Sequence, residues 1–208
     1  ISIWLDLIKL AGDTVQMSII AIGIASFGML VTIGFGTNKF LEGRFKILKN
    51  IVYYITQAVY IFTRTVPELI WAVILIFIFK PGILPGAIAL GIHNFGILGK
   101  LCAEVIEDYD DTPSKSLNKS GASRLQSFIY GTIPTVYPRF ISYVLYRFEI
   151  IVRTSIIVGI VGAGGLGEIF RLSMSYFHYG EVGMIIIVYL VLVALSDFVS
   201  VKLQKFNS

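Results

Sequence analysis

An all-α integral membrane protein is what this sequence specifies, and three features say so. Hydrophobic residues fill 56% of its 208 positions and charged residues only 14%, with a mean hydropathy of +0.81. An average soluble domain carries roughly 25% charged residues. The apolar residues are gathered into runs near or above the ~20 residues that a helix needs to cross a bilayer. Between two of these runs lies a polar, helix-breaking island, residues 107–134 (EDYDDTPSKSLNKSGASRLQSFIYGTIP), which cannot sit in hydrocarbon. In lipid every backbone N–H and C=O must be satisfied within its own segment, so apolar runs of this length become helices. A single membrane domain, residues 1–208, accounts for the whole; no repeat or low-complexity tract divides it.

About five transmembrane helices are expected, at roughly 14–36, 48–79, 83–106, 134–161 and 181–202. Residues 1–12 (ISIWLDLIKLAG) are amphipathic and are expected to lie along the interface. Nothing there reads as a cleavable signal, and a chain beginning at Ile1 rather than Met is expected to lack its native start. The second run is too long for one straight crossing and contains Arg64, Pro67 and Glu68, which predicts a kinked or broken helix.

Basic residues set the orientation. The 37–50 loop carries Lys39, Arg44, Lys46 and Lys49, the island carries Lys115, Lys119 and Arg124, and the tail carries Lys202 and Lys205. If the spans alternate, all of these fall on one side, against Lys9, Lys80 and Arg171 on the other. The richer side is the cytoplasmic one, so the island at 107–133 is expected inside. The plainest reading of the 37–50 loop is solvation at the membrane surface. A net charge of +4 gives no argument for nucleic acid.

Within the island, Thr112 can cap a short helix with Pro113 at its first position, where the missing N–H costs nothing. Gly121 ends that helix, and a second follows with Leu125, Phe128 and Ile129 on one face. A short helix, a glycine elbow and an amphipathic helix hung between spans form a docking handle for a soluble partner.

Catalytic patterns are missing and no cofactor is implied. Cys102, the single cysteine, can form no internal disulfide, and His93 and His178 lack ligand partners at metal-site spacing. Gly162–Gly167 (GAGGLG) formally matches G-x-G-x-x-G, but it follows a helical membrane run rather than a strand, so the dinucleotide reading fails. No G-x-x-x-x-G-K-[ST] loop occurs, so ATP hydrolysis by that route requires another polypeptide. Gly162, Gly164, Gly165 and Gly167 make either a tight turn with close helix packing or a flexible mouth, a gate facing a substrate-delivery protein.

Charges inside the spans are the sharper signal, because one at mid-bilayer costs at least ~2.5–3.5 kcal/mol without a partner or an aqueous path. Arg64 and Glu68 stand one turn apart and can pair, while Pro67 between them frees a carbonyl. They either brace the fold or line a substrate pathway. In the fourth run, Arg139 falls near the cytoplasmic end and can snorkel. Arg147 and Glu149 point apart on a helix, so at least one must face another helix, another subunit or water. Arg153 lies nearer the outside, where its fork of donors suits an incoming phosphoryl or phosphonyl group. A stand-alone carrier would show inverted repeats or an unpaired intramembrane acid, and a membrane enzyme would want paired acids or histidines near an interface; neither pattern is present.

Several motifs together resemble one family, the membrane-spanning permease subunit of phosphonate-type ABC transporters. They are Arg64-Thr65-Val66-Pro67-Glu68-Leu69-Ile70-Trp71-Ala72, Gly91-Ile92-His93-Asn94 through Gly99-Lys100-Leu101, Gly121-Ala122-Ser123-Arg124-Leu125-Gln126, and Tyr146-Arg147-Phe148-Glu149 through Val152-Arg153. The island resembles the family's cytoplasmic "EAA" loop, with Gly121, Ile133 and Pro134 as its Gly, Leu and Pro. Lys115, Ser116 and Leu117 stand where Glu-Ala-Ala would, and Gly131 where the family favours Ile. The glycine run also resembles the corresponding region of methionine importers, so another cargo such as methionine is the alternative.

The resemblance implies a type I ABC importer permease fold in the bacterial plasma (inner) membrane, with the 107–133 coupling loop on the cytoplasmic side. It implies a homodimer, a cytoplasmic ABC ATPase dimer and an extracytoplasmic substrate-binding protein as partners, and an extra N-terminal span in most members. Lys115, Ser116, Leu117, Gly121, Ala122, Ser123, Arg124 and Pro134 would contact the ATPase, and Arg64, Glu68 and Arg153 would line the path.

Overall fold

The structure, a computed structural model, describes residues 2–37, 46–110 and 112–207. Ile1, Lys39 and Arg44 lie outside the described residues, and of Lys46 and Lys49 only the backbone is described. The helices are α1 (Ser2–Thr32), α2 (Lys46–Thr65), α3 (Glu68–Phe79), α4 (Ile83–Asp108), α5 (Thr112–Lys119), α6 (Arg124–Ser127), α7 (Ile133–Val158), α8 (Gly165–Ser175) and α9 (Tyr179–Asn207). π-Helical turns join α6 to α7 at Phe128–Thr132 and end α7 at Gly159–Ala163. Helices α1, α4 and α9 are each long and apolar enough to cross a membrane. Two bent pairs, Asn50–Thr65 with Glu68–Phe79 and Arg124–Ala163 with Gly165–Ser175, bring the spans to as many as five.

The expected break in the second run is present: the axis turns by 90° between α2 and α3. The first run differs from expectation. Its helix begins at Ser2 rather than near residue 14, so residues 2–12 belong to the same rod as the first span. No proline interrupts it, and Gly12 alone is too weak a breaker to stop a helix flanked by apolar turns. Its first turns have packing partners, since Leu7 is buried in a cluster with Leu166 of α8 and Ile185 of α9.

Helix α4 is the axle of the molecule, packed against α1, α2, α3 and α7. Its inward residues Ala87, Ala89 and Leu90 join Met17 and Ala21 of α1, Ala72 of α3, and Ile151 and Val158 of α7 in one cluster. Nearer its C-terminus, Leu98, Cys102, Val105 and Ile106 join Ala25 and Met29 of α1, Ile33 just beyond it, and Val136 and Phe140 of α7 in another. Apolar side chains gain little from leaving lipid for protein, so close backbone approach through small residues holds membrane helices together. The α2–α4 crossing shows this. A Cβ at Gly96 would lie 2.6 Å from the Tyr60 carbonyl oxygen and 2.8 Å from the Arg64 nitrogen. A Cβ at Gly99 would meet the Tyr60 ring at 2.3 Å. Tyr60 itself is fully buried, with its hydroxyl 2.7 Å from Thr32 Oγ1 of α1.

Gly96→Ala is therefore expected to lower stability by about 1–3 kcal/mol, because besides the Thr63 hydroxyl two of the colliding atoms are backbone and cannot move aside. Gly23→Ala, whose new Cβ meets nothing within 4 Å, is expected to be neutral or to gain up to roughly 1 kcal/mol. Thermal unfolding of the two variants in detergent checks the contrast.

Candidate functional site

Two regions carry polar groups arranged for work: the broken span and the island. At the break, Pro67 has no N–H to give the Thr63 carbonyl, its partner in an unbroken helix. The Trp71 indole donates to that carbonyl instead, at 3.3 Å. The Val66 carbonyl is also left over, because Ile70 N–H turns to the Pro67 oxygen. His93 of α4 reaches it, with Nδ1 3.0 Å from the Val66 oxygen, while Nε2 lies 3.1 Å from Glu68 Oε2. Both ring nitrogens thus face oxygen atoms at the bend.

This corrects the expected Arg64–Glu68 pairing. The two residues flank the 90° bend and no longer share a helix face. Glu68 turns to His93, whereas Arg64 is exposed and has no ion pair among the described residues.

One residue further along α4, Asn94 is buried and donates to the Leu90 carbonyl at 2.7 Å. Its Oδ1 accepts two bonds from Arg147 of α7, from Nε at 2.8 Å and Nη2 at 2.6 Å. Glu149 is also buried and accepts from Arg153, one turn on. Tyr189 of α9 donates to the Arg153 carbonyl at 3.1 Å. Arg147 and Glu149 therefore point apart as their spacing requires, and both have partners. Arg139 is exposed. Arg64, Glu68 and Arg153 are not joined to one another by any hydrogen bond or ion pair among the described residues.

The glycine run folds back tightly. Gly162, Gly164 and Gly165 have φ of 109°, 82° and 67°, open to glycine and strained for other residues. A Cβ on Gly167 would collide with the Ile156 carbonyl at 2.1 Å. The chain bends by 59° here and enters α8. Thr14 of α1 accepts the Leu166 N–H at 3.0 Å, which caps the new helix from across the fold. Gly82 N–H donates to the Gly162 carbonyl at 3.1 Å, tying the run to the α3–α4 turn.

In the island, α5 begins at Thr112, one residue before the expected first position at Pro113, and the oxygen bonded at its N-terminus belongs to Asp110. Its carboxylate accepts the Thr112 N–H at 3.1 Å and the Thr112 hydroxyl at 2.7 Å. Gly121, at φ 90°, closes α5 with both bonds of a Schellman motif: Ala122 N to Leu117 O and Gly121 N to Asn118 O, each 3.1 Å. Helix α6 opens with a capping box between Ser123 and Gln126. The S-x-x-Q spacing that signals such a box stands in the sequence. Ser127 donates to Asn118 at 2.7 Å, locking α6 against α5. Gly131 lets α5 approach, since a Cβ there would meet Ser114 Cα at 3.0 Å.

Lys115, Ser116, Ser123, Arg124 and Pro134 are exposed, and Leu117 and Ala122 are half-buried. Phe128 turns inward onto the α1–α4–α7 cluster, so the exposed apolar face consists of Leu125 (54%), Ile129 (45%) and Tyr130 (72%). Beside it runs a groove lined by Leu117, Ser120, Gly121, Ala122, Gln126 and Tyr130. Among the described residues no group of His, Cys, Asp and Glu could hold a metal ion.

Known proteins place this architecture. The model of the family "Binding-protein-dependent transport system inner membrane component" matches residues 43–206. The phosphite transport system permease protein PtxC of Stutzerimonas stutzeri is 35% identical over 193 residues, 93% of this chain and 68% of its own length. The phosphate-import permease protein PhnE of Mycolicibacterium smegmatis is 29% identical over 196 residues, 94% of this chain but only 36% of its own. Among solved structures, a chain of the MetNI methionine ABC transporter in an inward-facing conformation superposes with a TM-score of 0.81 at 18% identity, over 97% of this chain and 96% of that one. An amino acid ABC transporter superposes with a TM-score of 0.75 at 16% identity, over 97% and 96% of the two chains. Identities this low establish the shared fold alone.

Asn94→Leu would strand two donors of Arg147, and is expected to cost about 2–4 kcal/mol. Adding Arg147→Met should recover most of that loss. A double-mutant cycle on unfolding midpoints measures the coupling, and additive losses would contradict the pairing.

Proposed function

The chain belongs to the family of binding-protein-dependent transport system inner membrane components, ABC importer permease subunits of the type I fold, and from that premise we propose that its cargo is phosphonate or a related phosphorus oxyanion. ATP is hydrolysed on a separate pair of cytoplasmic ATPase subunits, an extracytoplasmic binding protein delivers the anion, and a second copy of this chain completes the path. The named activities of the phosphite and phosphate-import relatives support this cargo. The methionine alternative rests on the glycine run and on a fold likeness at 18% identity, and none of the relatives named above carries that cargo.

One observation carries the coupling reading: the island is a rigid handle that leaves Leu125, Ile129 and Tyr130 bare to solvent. Three large apolar side chains clustered on an otherwise polar loop are a surface awaiting a partner. Lys115, Ser116, Leu117, Gly121, Ala122, Ser123, Arg124 and Pro134 form or frame the face that meets the ATPase. Closure of the ATPase pair pulls the handle, tilts the helices and opens the path alternately outward and inward. Arg64, Glu68 and Arg153 are assigned to the path, with Arg153 already compensated by Glu149. The bend at Gly162, Gly164, Gly165 and Gly167 forms the mouth towards the binding protein.

In proteoliposomes the complete complex with binding protein should take up phosphite when given ATP, and this chain alone should take up none. Uptake by the chain alone would overturn the assignment to an ATP-driven importer. Gly121→Val places a β-branched residue at φ 90°, a strain of about 1–2 kcal/mol. Insertion should survive, while transport per ATP falls on the order of tenfold. For orientation, Ser123→Cys should react with a membrane-impermeant maleimide in inside-out vesicles and not in right-side-out cells. Cys102 is buried and supplies no background. Labelling from outside would invert the topology.

A further inference from the structure

We propose that Arg147, held in place by Asn94, is the cation that meets the oxyanion inside the membrane; this rests on the cargo class proposed above. The carboxylates of Glu68 and Glu149 are turned to other partners: Glu68 lies 3.1 Å from His93 Nε2, and Glu149 is paired with Arg153. Glu68 acts on Arg147 through space and makes no contact with it. Arg147 has only a neutral amide as its partner, with no carboxylate in salt-bridge contact among the described residues. Asn94 satisfies hydrogen bonds without cancelling charge.

A positive charge at this depth persists only with an anion or an aqueous path. The geometry matches an arriving oxyanion. A guanidinium has five N–H donors, and Asn94 occupies the Nε–Nη2 side of the fork. Three donors remain, including the whole Nη1 group, with no hydrogen bond to them among the described residues, and their paired arrangement suits the oxygens of a phosphorus oxyanion. The amide is a buried group anchored to its own helix by the bond to Leu90. Asn94 is therefore a positioning residue that aims the fork, and Arg147 is the contact.

The complete complex with its binding protein, in proteoliposomes with phosphite as the probe, tests this. Arg147→Gln should lower uptake by about tenfold or more, and Arg147→Lys should retain most of it. Gln and Lys variants of equal activity, or both equally dead, would overturn the assignment. In Arg147→Cys, a water-soluble ethyltrimethylammonium methanethiosulfonate should restore uptake, and the ethylsulfonate analogue should not. Buried Cys102 stays silent. Failure of both reagents to react, or equal rescue by both, would also overturn it. If the wild-type complex moves phosphite, phosphate and methylphosphonate with ATP while the variants behave alike, only the Arg147 role fails. If the wild-type complex moves none of the three, the cargo proposal fails and this one falls with it.

Discussion

Water cannot reach most of this molecule's interior helices, so every interruption of a helical ladder must be repaired by a side chain from elsewhere. The architecture follows from how that is done. Pro67 removes one donor and turns the chain by 90°, and the two carbonyls so orphaned are taken by Trp71 and His93. The glycine bend opens a new helix whose first donors would be bare, and Thr14 caps Leu166 from α1. Each repair ties the broken segment to another part of the fold. The breaks are consequently the places where α1, α3, α4 and α8 are fastened together, and they also place polar side chains deep in an apolar body.

The island obeys the opposite rule. Mostly polar and exposed, it is anchored by Phe128 packed inward and ordered by local closure: a carboxylate cap, a Schellman stop, a capping box and one hydrogen bond between helices. Its two departures from the family loop belong to one unit. Gly131 replaces a larger residue, and the space is filled by α5, whose Ser114 backbone and Leu117 side chain sit over it. A bulky residue at 131 would push α5 away, so this chain builds its handle from a closer approach of the two helices.

Features with a local cause were legible in the sequence. Run lengths marked the spans, Pro67 marked the break, and Gly121 marked the elbow, because each acts within a turn or two of its own position. The capping box at Ser123 and Gln126 was equally readable from its spacing. Pairings between helices were not. Arg64 and Glu68 looked like partners because four residues separate them, but the intervening proline destroys the periodicity on which that spacing argument depends. Glu68 finds His93 and Arg147 finds Asn94 across sequence separations that no local rule addresses. The length of α1 was misjudged for a related reason: the amphipathic look of residues 1–12 comes from packing on α8 and α9, elements far along the chain.

A single helical run, Arg124–Ala163, begins at the handle, passes the π-helical turn at Phe128–Thr132, carries Arg147, Glu149 and Arg153, and ends at the glycine bend. On the function proposed above, handle, charged path and mouth are therefore stations on one rod. A helix is stiff along its axis and transmits displacement with little loss, whereas a π turn is a register defect that can absorb or release a residue of rotation. A pull on the handle reaches Arg147 through that turn, while Asn94 belongs to α4, the packed axle. Relative movement of α7 and α4 would then change how Arg147 is shared between its fixed amide and a passing anion. On the function proposed above, the same helix that receives the motor's stroke would carry the charge the cargo must cross.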